Sequence, residues 1–263
     1  MPASDGRLSH SPMVKLAPYW DGFGDLWAVT SHSCLLSQQA GHRVHLSKWS
    51  TKSMRDREME IRDILESLDD GYTRHVVVTN ERLTTAAPYG VREHHESYVP
   101  TKVRWARNDG RIIAYQLETS SSHRPDRFCE PWLIEDLSDQ LPGYQFVELG
   151  KEHQRTMREI VDILSKCELF VGIDSGMSHV AHSVGVPVFL KHYDELNLCH
   201  PNKDYVAFRD GADLTRKLSE APSLSQKPSP NAGRKSTAWR RSSLAHLVRR
   251  MRRRYARSAL SKW

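Results

Sequence analysis

The chain has 263 residues, of which 38% are hydrophobic and 27% charged, with a formal net charge of +6. That length can hold one large domain or two small ones with real cores, and no stretch approaches the roughly eighteen apolar residues of a membrane-spanning helix. The four cysteines, Cys34, Cys129, Cys167 and Cys199, have no CxxC or CxxxC spacing, which argues against a zinc site or a disulfide scaffold.

Residues 1–13 read as a disordered leader without the basic-then-apolar layout of a signal peptide. Residues 14–20, VKLAPYW, read as a buried strand. GFGD follows at 22–25, then Leu26 to Gln39, a helix-length stretch with apolar positions three and four apart. Gly41 stands where a helix-terminating residue belongs. RVHLS at 43–47 predicts a second strand, 54–68 a charged amphipathic helix, and HVVVT at 75–79 a third strand. A polar stretch rich in His and Tyr occupies 88–110; its His94 and His95 lack further ligands at metal spacing.

The alternation then resumes. RIIAYQL at 111–117 predicts a strand, ETSSSHRPDRF at 118–128 a loop, 130–141 a helix and YQFVEL at 144–149 a strand. A helix over 152–166, the strand ELFVGI at 168–173, a helix from Asp174-Ser175-Gly176 to about Val184, and the strand VPVFL at 186–190 complete the series. Strands alternating with helices are the grammar of parallel sheets covered by helices. The break near residue 100 predicts an α/β fold of two facing Rossmann-like lobes, 14–105 and 106–220. Within it, Trp27 and Trp105 read as core.

Residues 221–263 read as a basic linker and tail. Twelve Lys and Arg and no Asp or Glu lie there, leaving twenty-six basic against thirty-two acidic residues in 1–220. Binding to nucleic acid or to a membrane therefore rests on the tail alone. Leu244, Leu247, Val248, Met251 and Tyr255 repeat at three and four among eight arginines from Arg240 to Arg257, the pattern of a helix on an anionic surface. Two partners suit the tail 240–257: an acidic membrane surface, which the apolar stripe favours, or nucleic acid. The expected location is cytoplasmic, peripheral at a membrane where the tail meets one.

The most informative segment is VGIDSGMSHVAHSVGVPV, residues 171–188. It reads as a buried strand that ends in Asp174-Ser175-Gly176 and starts a helix. The first amides of a helix lack internal partners and carry partial positive charge, so they suit a phosphate. Ser175 offers a hydroxyl, Gly176 allows close approach to the backbone, and His179 lies on the first turn. His182, three residues on, reads as helix surface. By itself such a turn could merely cap its helix. A second loop, Gly22-x-Gly24-Asp25, follows the first strand, where a carboxylate can face a cleft and accept a proton.

The string D-S-G-x-x-H-x-A-x-x-x-G-x-P, here Asp174, Ser175, Gly176, His179, Ala181, Gly185 and Pro187, resembles the signature of glycosyltransferase family 9, the heptosyltransferase-like enzymes. The Gly22-x-Gly24-Asp25 loop resembles the opening of the same family. The resemblance covers roughly residues 14–205 and implies the two-lobed GT-B type of glycosyltransferase. It implies transfer from a nucleotide diphosphate sugar to an acceptor in one displacement with inversion, without metal or cofactor. Asp25 would be the catalytic base. Thr119, Ser120 and Ser121 would lie against the donor phosphates with Asp174, Ser175, Gly176 and His179. Arg127, or Arg124 in its stead, would neutralise the leaving diphosphate. The family's Trp-Pro pair after that basic residue is replaced by Phe128, Cys129, Glu130 and Pro131, and the first lobe is shorter than the family's. The alternative is a module of the same fold that binds nucleotide or nucleic acid without catalysis, or a transferase acting on nucleic acid.

Overall fold

The computed structural model describes residues 14–19, 21–41, 43–83, 98–106, 111–118, 128–150, 155–192 and 205–220. The leader, His94 and His95, the loop that carries Thr119, Ser120, Ser121, Arg124 and Arg127, and the tail 240–257 lie outside the described residues. The chain folds as β1 (Val14–Leu16), α1 (Phe23–Ala40), β2 (Val44–Ser47), α2 (Glu58–Ser67), α3 (Asp70–Thr73) and β3 (Val76–Thr79). It continues as β4 (Ile112–Gln116), α4 (Trp132–Gln140), β5 (Gln145–Glu148), α5 (Met157–Lys166), β6 (Leu169–Gly172) and α6 (Gly176–Val184). The last described elements are β7 (Val188–Lys191), β8 (Tyr205–Phe208) and α7 (Gly211–Glu220).

Two parallel sheets result, one of three strands in the order β1-β2-β3 and one of five in the order β5-β4-β6-β7-β8. In the larger sheet the chain leaves β4 toward β5 and returns to β6 on the other side. The strand order reverses between β4 and β6, and crevices at such switch points are where α/β sheets hold ligands. Gln116 pairs with Gly172 there, at the carboxyl ends of both strands. The two sheets share one core, which includes Leu46 of β2, Ala114 of β4 and Phe170 of β6. Trp27 is wholly buried, and its indole N–H donates to Ser183 Oγ at 2.8 Å, tying α1 to α6. The Trp105 indole donates to Cys167 O at 2.7 Å. A buried indole keeps its place by finding such an acceptor.

Most predicted elements appear within two residues of their expected bounds, and the departures have local causes. The first strand is three residues long and only half-buried, and it stops before Pro18, which has no N–H to give a ladder. Helix α2 begins at Glu58 rather than 54. The residues before it form a turn in which Met54 has a positive φ of 55° and Trp49 bridges to Asp56. Helix α5 begins at Met157 rather than 152 because Thr156 caps it. Its hydroxyl accepts from Glu159 N at 3.3 Å and Glu159 Oε2 accepts from Thr156 N at 2.7 Å, a reciprocal capping box. Gly41 does end α1, in the left-handed region at φ 61°. The short α3, β8 and α7 are absent from the sequence reading.

Candidate functional site

Strand β6 is apolar and buried along its whole length, as a parallel strand covered on both faces must be. It delivers Asp174, 2% exposed, and then Ser175, whose extended backbone (φ −148°, ψ 176°) makes it the N-cap of α6. Ser178 sits three residues on and its Oγ accepts from Ser175 N at 3.1 Å, turning the chain into the helix. The Ser175 hydroxyl donates to Oε1 of Gln116, so the cap is moored to the end of β4 across the switch point.

Helix α1 starts in a similar way. Gly22 is its extended N-cap, and Leu26 N donates to Gly22 O at 3.0 Å. Asp25 lies in the first turn, half-buried, with its carboxylate folded back over the cap; a Cβ at Gly22 would fall 2.7 Å from Asp25 Oδ2. A carboxylate in a first turn is favoured by the helix dipole. The residue before the cap is braced from β2's side. Ser53 Oγ donates to Asp21 Oδ1 at 2.7 Å, and the Arg57 guanidinium donates to Asp21 O. Burial pushes the Asp21 carboxyl up, but the hydrogen bonds from Ser53 and Ser50 and the charges of Arg57 and Arg55 outweigh it. The group is held below the usual carboxylate range.

The two helix starts touch. A Cβ on Gly176 would come within 2.6 Å of Phe23 Cδ1 and 3.3 Å of Gly24 N. A Cβ on Gly24 would come within 2.8 Å of His179 Cδ2 and 3.0 Å of its Nε2. A side chain at either position would force Phe23 or His179 to shift, so both glycines are set by the packing of α1 against α6. His179 is 5% exposed, with Nε2 4.0 Å from Asp174 Oδ1 and Nδ1 hydrogen-bonded to the Tyr98 hydroxyl. The Tyr98 ring lies edge-on to His179 and stacks on His182 at 5.7 Å and 11°.

The structure thus brings Gly22, Gly24 and Asp25 to the same place as Asp174, Ser175, Gly176 and His179. Thr119, Ser120, Ser121 and Arg127 fall outside the described residues. The flanks of their loop meet at the carboxyl end of β4, where Glu118 bridges to Phe128 and Cys129 N donates to Leu117 O at 2.6 Å. His182 is not the helix-surface residue expected. The segment 98–105 runs along α6, with Thr101 N donating to Ser183 O at 3.1 Å, and the Tyr98 ring stacked on His182 leaves it only partly exposed. Burial first, then the neighbouring His179, hold its pKa down to about 3. Gln116 and Tyr98 were missed by sequence reasoning. A polar residue closing an apolar strand was a signal for Gln116. Tyr98 meets His179 across 81 residues of sequence, which no local pattern reveals. Among the described residues, no group of three or more His, Cys, Asp and Glu is placed to hold a metal ion, and no helix is long and apolar enough to cross a membrane.

Residues 153–189, which contain α5, β6 and the α6 start, match the pattern of glycosyltransferase family 9 (heptosyltransferase). The chain is similar to glycosyltransferase family 9. The crystal structure of the bacterial iron-containing dodecameric glycosyltransferase TibC from enterotoxigenic E. coli superposes with a TM-score of 0.52 at 13% identity, covering 72% of this chain and 60% of that one. The chain therefore spans about three-fifths of TibC. A glycosyl transferase family 9 protein from Veillonella parvula gives a TM-score of 0.46 at 11% identity, over 81% of this chain and 92% of that one. The E. coli heptosyltransferase WaaC with ADP gives 0.43 at 11% identity, over 80% and 99%. No curated protein sequence matches the chain. At such identity the likeness to TibC speaks for the fold, an α/β arrangement of parallel sheets.

Proposed function

We propose that the chain is a glycosyltransferase that moves a sugar from a nucleotide diphosphate donor to an acceptor hydroxyl. One observation carries this reading: α1 and α6 abut at Gly24 and Gly176, so the Asp25 carboxylate stands one residue from the contact with a helix start suited to phosphate. The donor diphosphate sits at the α6 amides, with Ser175 and His179 beside it and Thr119, Ser120, Ser121 and Arg127 contributing from the loop after β4. Asp25 takes the acceptor proton as the hydroxyl attacks the anomeric carbon. The bond to the diphosphate breaks in the same step, and the configuration inverts. Backbone dipoles and arginine stabilise the charge that builds on the leaving group, and no metal is required.

The test is a thermal-shift series with nucleotide diphosphates and their sugars, heptose donors included, followed by donor hydrolysis with and without a chelator. A donor at a hundred times its Kd adds about 2.7 kcal/mol of stability. Stabilisation without any turnover would leave a nucleotide-binding module. No stabilisation by any donor would overturn both. The lobe boundaries 14–105 and 106–220 belong to the same proposal, as does an anionic surface, membrane first, for the tail 240–257. Truncation after Glu220 should abolish binding to anionic vesicles and leave donor hydrolysis intact.

A further inference from the structure

We propose that Tyr98 is a positioning residue that fixes the tautomer of His179, holding its Nε2–H at the contact between the two helix starts. The Tyr98 hydroxyl is hydrogen-bonded to His179 Nδ1, and both residues are more than nine-tenths buried. That bond alone leaves the direction open, since a neutral imidazole carries its proton on either nitrogen. The other side of the ring settles it. Nε2 lies 4.0 Å from Oδ1 of Asp174, which is 2% exposed. A bare Nε2 lone pair facing a buried carboxylate would be repelled, whereas an N–H there is attracted. The proton therefore sits on Nε2, Nδ1 accepts, and Tyr98 donates.

Tyr98 is itself held from three directions. Val99 N donates to Ser31 Oγ of α1 at 2.7 Å, Thr101 N donates to Ser183 O of α6 at 3.1 Å, and Asp69 N donates to Pro100 O at 2.9 Å. The stack on His182 fixes the plane of the ring. Nε2 also belongs to the ring edge that a side chain on Gly24 would strike, with Cδ2 2.8 Å and Nε2 3.0 Å from such a Cβ. The N–H that Tyr98 maintains is thus presented beside Gly24, next to Asp25. Resting on the transferase reading, its use there is to donate to charge developing on the departing diphosphate.

The experiment uses the full chain with ¹⁵N-labelled histidine, its His179 signals assigned by loss in His179→Gln. Wild-type protein should show Nδ1 unprotonated and Nε2 protonated. Tyr98→Phe keeps the stack on His182 and removes only the hydroxyl, so His179 should become a mixture of tautomers. Turnover should fall by roughly tenfold with donor KM little changed, because the lost interaction acts in the transition state. An Nδ1–H tautomer in the wild type would overturn the proposal without any variant being needed. So would a folded Tyr98→Phe protein with unchanged tautomer and turnover. The tautomer change with no transferase activity in the wild type would sink the transferase reading and leave the positioning role intact.

Discussion

The two sheets are built from the same alternation yet finished differently. In the five-stranded sheet β6 is buried along its whole length and β7 nearly so. In the three-stranded sheet β1 and β3 have no fully buried residue, and β2 alone is mostly enclosed. The larger sheet carries a complete switch point with a moored helix start. The smaller one leads into α1, whose first-turn Asp25 is only half-buried. A phosphate site needs fixed backbone amides and therefore a rigid strand end, whereas a base needs one carboxylate within reach of a mobile substrate. The asymmetry in finish suits the division of labour proposed above.

The largest effect that would sharpen this contrast is expected from Asp25→Asn. The carboxamide keeps the shape and cannot take a proton, so turnover should drop by about a hundredfold or more while donor affinity in calorimetry persists. Near-normal turnover would remove the smaller sheet's turn from the chemistry. Gly24→Ala comes next. Its Cβ would lie 2.8 Å from His179 Cδ2, so the ring or α1 must move, at about 1–3 kcal/mol by urea unfolding. An unchanged midpoint would mean that the two helix starts are not tightly packed.

His182 gives a pH dependence confined to the α6 side. Its folded pKa is about 3 against an ordinary 6.5, so between those values the unfolded chain binds a proton that the folded one refuses. Stability is therefore lost as pH falls below 6.5, by up to about 1.4 kcal/mol per unit, and retained above it. His182→Phe keeps a ring against Tyr98 and should flatten that slope in melts taken across the range. An acid slope identical to that of the wild type would place the cause elsewhere. The smallest effect is assigned to Thr156→Ala, which removes the α5 cap. It should cost about 1 kcal/mol and leave turnover per folded molecule unchanged. Lost turnover there would mean that the larger sheet transmits strain to the site.

Much of this arrangement was legible in the sequence because it is written locally. The strand ending in Asp174-Ser175-Gly176 shows its boundary in the step from apolar to capping residues, and Gly41 marks the end of α1 without help from tertiary structure. The α7 signal was weaker, two buried leucines, Leu214 and Leu218, one turn apart behind Gly211. Only four residues form β8, Tyr205–Phe208, too few for alternation to stand out. What the sequence hid is whatever depends on distant partners. Gly24 looked like a loop residue and Gly176 like an opening for a ligand at a helix start, and only folding shows them to be spacers for one another. His182 looked solvent-facing because nothing nearby announces that Tyr98 will cover it.

The contact between Gly24 and Gly176 has one more consequence. Two helix starts in van der Waals contact bring together two partial positive charges, each roughly half a proton. Their source is the peptide backbone, so no acid titrates it, no oxidant consumes it and no side-chain replacement deletes it. Such a field is inherited with the fold, and a lineage could lose it only by prising the two helices apart.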